Sequence, residues 1–164
     1  MLNMSKSPEP IKCFLIEPIL EDDPHHDPSA DSKYSSAWIP GKTIVGWVRS
    51  DTGERRTRCS DWGVGAMWFA VWYWRPVEWD NEVEPHLIVR CPSGDGSRDW
   101  DIDSRASNCT LRDDRLHRCW VRHGAPPDVH VDKDGLTCSA GAGSIAPLPG
   151  WHGFLTHGYL QEQR

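Results

Sequence analysis

The stretch His86-Leu87-Ile88-Val89-Arg90-Cys91-Pro92-Ser93-Gly94-Asp95-Gly96-Ser97-Arg98-Asp99-Trp100-Asp101-Ile102-Asp103-Ser104 decides the fold class. Residues 86–91 are a short apolar run bounded by turn formers, which is the mark of a buried strand. Residues 92–98 are rich in Gly and Ser and read as a turn. Residues 99–104 alternate acidic and apolar side chains, so they return as a second strand with Trp100 and Ile102 on one face. Together they predict an antiparallel hairpin.

Outward from this hairpin the same grammar repeats. Residues 12–16, 34–39 and 43–48 read as strands, with Pro40-Gly41 as a turn between the last two. Residues 48–58, around Asp51-Thr52-Gly53, read as a hairpin tip. Residues 21–33 are acidic and carry Pro24 and Pro28, so they read as a loop. Residues 63–74 are the most hydrophobic segment and are expected to begin as a helix and continue as a strand. Residues 118–121 and 129–131 are further short strands, and Thr156-His157-Gly158 closes a last hairpin. The expected core holds Trp100, Ile102, Trp120, Val121, Phe154 and Leu155. The fold class that follows is β-rich, all-β or α+β, with short antiparallel strands and at most one or two short helices.

The chain of 164 residues fits one domain. Residues 1–10 are expected to form a flexible tail and residues 11–164 a single β-rich domain. Fourteen Gly and thirteen Pro suit many turns, and ten Trp compensate for few aliphatics, since each indole buries roughly 150–250 Å². The formal charge of −6 is spread along the chain, without the concentrated basic face of a nucleic-acid binder. No run approaches the roughly 20 apolar residues of a membrane helix. The polar first ten residues lack the apolar centre of a secretory signal, so synthesis in a cytosol is expected.

Several constellations bear on chemistry. Asp99, Asp101 and Asp103 share a strand face and could hold calcium, but an amphipathic strand with a wet acidic face explains them as well. The EF-hand pattern fails, because Ser104 stands where its Gly belongs. His117, Cys119 and His123 cluster near Cys109, with Cys138 and His152 further on. Zinc takes four such N or S ligands, although the close-spaced cysteine pair of common zinc sites is missing. A disulfide between Cys109 and Cys119 and buried free thiols are the alternatives, and all three readings stand. Cys109, Cys119 and Cys138 are in any case expected to lie close together. No cofactor is otherwise expected. Cys119 with His123 or His152 could form a thiolate–imidazole pair, but six Cys and eight His make such a pairing uninformative. Gly141 and Gly143 lack the Lys and Thr of a phosphate loop and are expected to pack a turn against Trp151.

Trp62, Trp68, Trp72, Trp74 and Trp79 exceed the needs of one core layer. They are either a large aromatic core or a partner surface, and Trp is enriched at interface hot spots. The expected partner-binding residues are Trp68, Trp72, Trp74 and Trp79.

The segment Trp100-Asp101-Ile102-Asp103-Ser104-Arg105-Ala106-Ser107-Asn108-Cys109-Thr110 is followed by His117-Arg118-Cys119-Trp120-Val121-Arg122-His123-Gly124. Then come Val131-Asp132-Lys133, Gly135-Leu136-Thr137-Cys138, Gly141-Ala142-Gly143-Ser144-Ile145 and His152-Gly153-Phe154-Leu155, with Lys12-Cys13-Phe14 and Gly65-Ala66-Met67-Trp68 earlier in the chain. This order resembles an uncharacterised family of small proteins encoded by tailed bacteriophages and prophages. The resemblance covers about two thirds of the chain by its motif spacing. It implies a phage origin and a shared fold, and it brings no activity. Family members carry a C-x-x-C element in a longer N-terminal half. This chain has only Cys59 there, so that knuckle is not carried over.

The expected function is therefore a non-enzymatic, phage-encoded structural or binding protein and virion component. Its partners would be other phage proteins or a host protein, with neither membrane nor nucleic acid, and a homo-oligomer is compatible. It would be made in the host cytoplasm and carried in the virion. An accessory protein that blocks a host factor is one alternative. A small metal-dependent hydrolase using His117, Cys119 and His152 is another.

Overall fold

The 86–104 hairpin forms, with a tighter turn than its composition suggests. In the computed structural model, which describes residues 8–30, 39, 41–70, 85–114, 117–135, 138, 140, 143–145 and 148–163, strands β6 (Leu87–Ser93) and β7 (Gly96–Asp101) pair antiparallel. Only Gly94 and Asp95 join them. The strands before them are β1 (Ile11–Lys12), β2 (Phe14–Asp22), β3 (Lys42–Arg49), β4 (Arg55–Arg56) and β5 (Ala66–Phe69). After them come β8 (Val121–His123), β9 (His130–Asp132), β10 (Gly153–Thr156) and β11 (Tyr159–Glu162).

The protein is β-rich, and among the described residues the only helical turns are short 3₁₀ turns at Pro28–Ala30 and Cys59–Asp61. Among the described residues no helix is long and apolar enough to cross a membrane. A six-stranded sheet runs in the order β4-β3-β2-β5-β6-β7, a three-stranded sheet runs β1-β11-β10, and β8 pairs with β9. The expected strand at 34–39 lies almost wholly outside the described residues, as does most of the expected tail.

Three expectations change. The first strand is two, because the chain switches sheets at Cys13: the Cys13 N–H donates to Gly158 O and the Phe14 N–H to Gly65 O. The loop expected from residue 21 starts later, because β2 runs through Asp22 with Pro18 inside it. β5 pairs only with Phe14 and Leu15, so β2 is an edge beyond them and tolerates a residue without an N–H. The helix expected at the start of 63–74 is a turn. Gly65 has φ +93°, and a Cβ there would sit 2.8 Å from Lys12 O. The glycine therefore serves a close strand approach and a positive φ, which a helix does not use. β5 also lies parallel to β2, whereas antiparallel strands were expected throughout.

Both faces of the large sheet are covered. On one face Met67, Leu87, Val89, Cys91, Trp100 and Ile102 meet Trp120, Val131, Ile145, Leu155 and Leu160 from the C-terminal half. Trp100 and Trp120 pack edge to face, with ring centroids 5.6 Å apart. Of the expected core, Trp100, Ile102, Trp120 and Leu155 are buried, while Val121 and Phe154 are half-buried. On the other face Ile16, Trp47, Trp62, Ala66, Trp68 and Ile88 form a second, smaller core. Arg90 lies over the Trp68 ring, donates to Cys59 O and Trp62 O, and pairs with Asp99 at 2.7 Å.

Candidate metal centre

The C-terminal half is held by few regular elements, so its loops need other anchors. Two arginines clamp the loop that carries Cys109. Arg112 donates to Cys109 O and Ser107 O, and Arg105 to Leu111 O and Arg112 O. The Cys109 N–H closes a turn onto Ala106 O. His117 and Cys119 then lead into β8, and the β8–β9 hairpin returns the chain toward Cys138.

The four side chains Cys109, His117, Cys119 and Cys138 converge. Their ligand atoms all lie within 4.8 Å of one another, and all four residues are buried. Cys119 Sγ is 3.9 Å from His117 Nε2 and 3.9 Å from Cys138 Sγ. A tetrahedral zinc with Zn–S near 2.3 Å and Zn–N near 2.0–2.1 Å needs S···S of about 3.8 Å and S···N of about 3.6 Å. The observed spacings are close to that. The donor set, three soft thiols and an imidazole, is one zinc favours.

The surroundings favour the thiolate at Cys138. The Ala140 N–H donates to Cys138 Sγ at 3.3 Å, and Lys133 Nζ lies 3.8 Å from the same sulfur. Burial opposes ionisation of Cys138. The N–H of Ala140, His117, the N–H of Thr110 and Cys119 outweigh it and hold this thiol below its ordinary range. Burial pushes the neighbouring Cys119 thiol up, opposed by the Ala106 N–H. Elsewhere burial raises Cys13 to about 12 and Cys59 to about 11, so these are inert apolar packing groups.

The structure sorts the sequence candidates. Cys109, His117, Cys119 and Cys138 come together. His123 does not join them: its Nε2 contacts Asp132 Oδ1 at 2.9 Å on the surface. His152 does not either, since its Nε2 contacts Ser144 Oγ at 2.9 Å. The Cys109–Cys119 disulfide is absent, because all six cysteines are free thiols. The spacing C-x7-H-x-C-x18-C was legible in the chain, and the alternation at His117-x-Cys119 was its strongest signal. Lys133 stood in the sequence only within the motif Val131-Asp132-Lys133, with nothing to tie it to the cysteines.

Each carboxylate of the acidic strand face has a protein partner. Asp99 is taken by Arg90, Asp101 by His86 Nδ1 at 2.7 Å, and Asp103 by the Leu87 N–H and by Arg122 at 3.3 Å. The wet face expected there is a paired one. Burial raises the Asp103 carboxyl, against the Leu87 N–H and Arg122. Trp68, expected at a partner surface, is 2% exposed and fills the second core. Trp72, Trp74 and Trp79 lie outside the described residues. The glycine against Trp151 is Gly153, where a Cβ would meet the ring at 2.5 Å. Gly143 instead crosses the backbone of Asp132, and Gly141 lies outside the described residues.

Comparison with protein families, with characterised proteins and with solved structures found none that matches this chain.

Proposed function

We propose that Cys109, His117, Cys119 and Cys138 hold a structural zinc ion in a non-enzymatic, phage-encoded structural or binding protein. The observation that carries the zinc assignment is the convergence of four buried ligand atoms within 4.8 Å. Four protein ligands fill a tetrahedral shell. A catalytic zinc keeps one position for water or substrate, so this donor set favours a staple over a hydrolytic site. His152, which the hydrolase reading needs, is engaged with Ser144. The phage assignment rests on the sequence resemblance and on the β-rich fold with its dispersed cysteines.

Metal analysis of the purified protein tests the centre. One zinc per chain is expected, lost in Cys119→Ser, and cobalt substitution should give the absorption of a tetrahedral thiolate site. A metal-free preparation that stays metal-free with added zinc overturns the assignment. Mass spectrometry of purified particles tests the virion role: a fixed copy number is expected, and absence from particles overturns it.

A further inference from the structure

Three thiolates and a neutral imidazole around a divalent zinc leave a net charge of −1. This charge would sit among buried residues, where an uncompensated charge is costly. Among the described residues, the ammonium in contact with the set is that of Lys133. It follows β9 directly, is half-buried, and places Nζ 3.8 Å from Cys138 Sγ. The same Nζ donates to Ala140 O, while the Ala140 N–H donates to Cys138 Sγ. Lys133, Cys138 and Ala140 thus form a closed ring of contacts on one side of the centre. Gly143 passes over this corner, where a Cβ would lie 3.5 Å from Asp132 Cα.

We propose that Lys133 is the counter-charge of the metal centre and determines how firmly it keeps its zinc and how slowly Cys138 reacts with electrophiles. The inference rests on the zinc reading above. Zinc binding with Lys133 present makes the assembly neutral, so no net charge is buried. Without the ammonium, a net charge of −1 stays buried and the ion is held less firmly. The ammonium also draws electron density from Cys138, which lowers its nucleophilicity toward alkylating agents. The centre is then a locked staple.

The test compares Lys133→Arg, Lys133→Gln and Lys133→Glu with wild type. Lys133→Gln keeps an N–H donor for Ala140 O but loses the charge, and Lys133→Arg keeps both. Zinc affinity is read by competition with a chromophoric chelator, and alkylation of the zinc-loaded protein by N-ethylmaleimide with mass-spectrometric mapping. Loss of a partner outside the metal's own ligands typically costs about 10–100-fold in metal affinity. A loss of that size is expected for Lys133→Gln and a larger one for Lys133→Glu, with Lys133→Arg within a few-fold of wild type. Alkylation at Cys138 should accelerate in the same order. Equal affinity and alkylation in Lys133→Gln and wild type overturns the proposal. So does Lys133→Arg behaving like Lys133→Gln, because geometry and not charge would then be responsible. A wild type that binds no zinc removes the underlying zinc reading instead, and is seen before any variant is made. Circular dichroism of each variant, with and without zinc, separates weakened binding from a failure to fold.

Discussion

Cys119 Sγ and Cys138 Sγ lie 3.9 Å apart although 19 positions separate them in the chain. The β8–β9 hairpin accounts for the closure. It pairs Val121 with Asp132 and His123 with His130, so the segments on either side of it come back together. A sulfur pair held this way, inside a set with Cys109 and His117, ties loops that have little sheet of their own.

Removing the metal should therefore destabilise the C-terminal half. Free zinc at a thousand times its dissociation constant contributes about 4 kcal/mol. Thermal unfolding in excess zinc and in EDTA should differ accordingly, and the difference should vanish in Cys119→Ser. Identical melting curves for wild type in both buffers would contradict a structural role.

Trp120 is 7% exposed and packs on Trp100. Trp120→Ala should cost about 3–5 kcal/mol. Trp120→Phe should cost much less, because the indole Nε1 makes no hydrogen bond. Urea titration of both variants checks this; a loss below about 1 kcal/mol for Trp120→Ala would remove the ring from the core.

Arg90 and Asp99 should behave unequally. Arg90 is buried over the Trp68 ring and donates to two backbone carbonyls, whereas the Asp99 side chain is 47% exposed. Arg90→Ala leaves buried acceptors without donors and should cost on the order of 2–4 kcal/mol. Asp99→Asn should cost about 1 kcal/mol or less, as water replaces the lost partner. Denaturant midpoints that reverse this order would refute the assignment.

Gly153 has no room for a methyl group. A Cβ there would lie 2.3 Å from Gln161 O and 2.5 Å from the Trp151 ring. Gly153→Ala should open the β10–β11 pairing at a cost of about 1–3 kcal/mol. Faster amide exchange at Phe154 and Thr156, whose N–H groups face β11, than in wild type is the expected readout.

Asp95 supplies a pH test. Its hydrogen bond with Arg98, then that with Ser93, lowers its pKa to about 2. An unfolded Asp titrates near 3.9. The depressed value means the pair's contribution is present above about pH 4 and fades as the pH falls through about 2. The carboxylate is exposed, so solvent keeps this contribution small. Carboxyl carbon shifts in an NMR titration should report the low value, and Arg98→Ala should raise it toward the ordinary range.

The amino-acid sequence by itself determined the strand-and-turn character of the chain and much of its core. The 86–104 hairpin, the turn at His157-Gly158 and the burial of Trp100, Ile102, Trp120 and Leu155 follow from local rules. Alternation puts side chains on faces, and His157 and Gly158 adopt φ +45° and +77°, as a two-residue hairpin turn requires. Those rules act over a few residues and need no knowledge of the neighbour across the core. The tertiary structure decided everything that depends on which distant segments meet. It brought β5 beside β2 in parallel, turned Trp68 inward, and gave each of Asp99, Asp101 and Asp103 its own partner. It also selected His117 over His123 and His152 for the cysteine set and placed Lys133 against Cys138. A four-ligand centre assembled from loops is a long-range object. Its geometry is set by the packing that carries 109, 117–119 and 138 to one point, and no local period encodes that meeting.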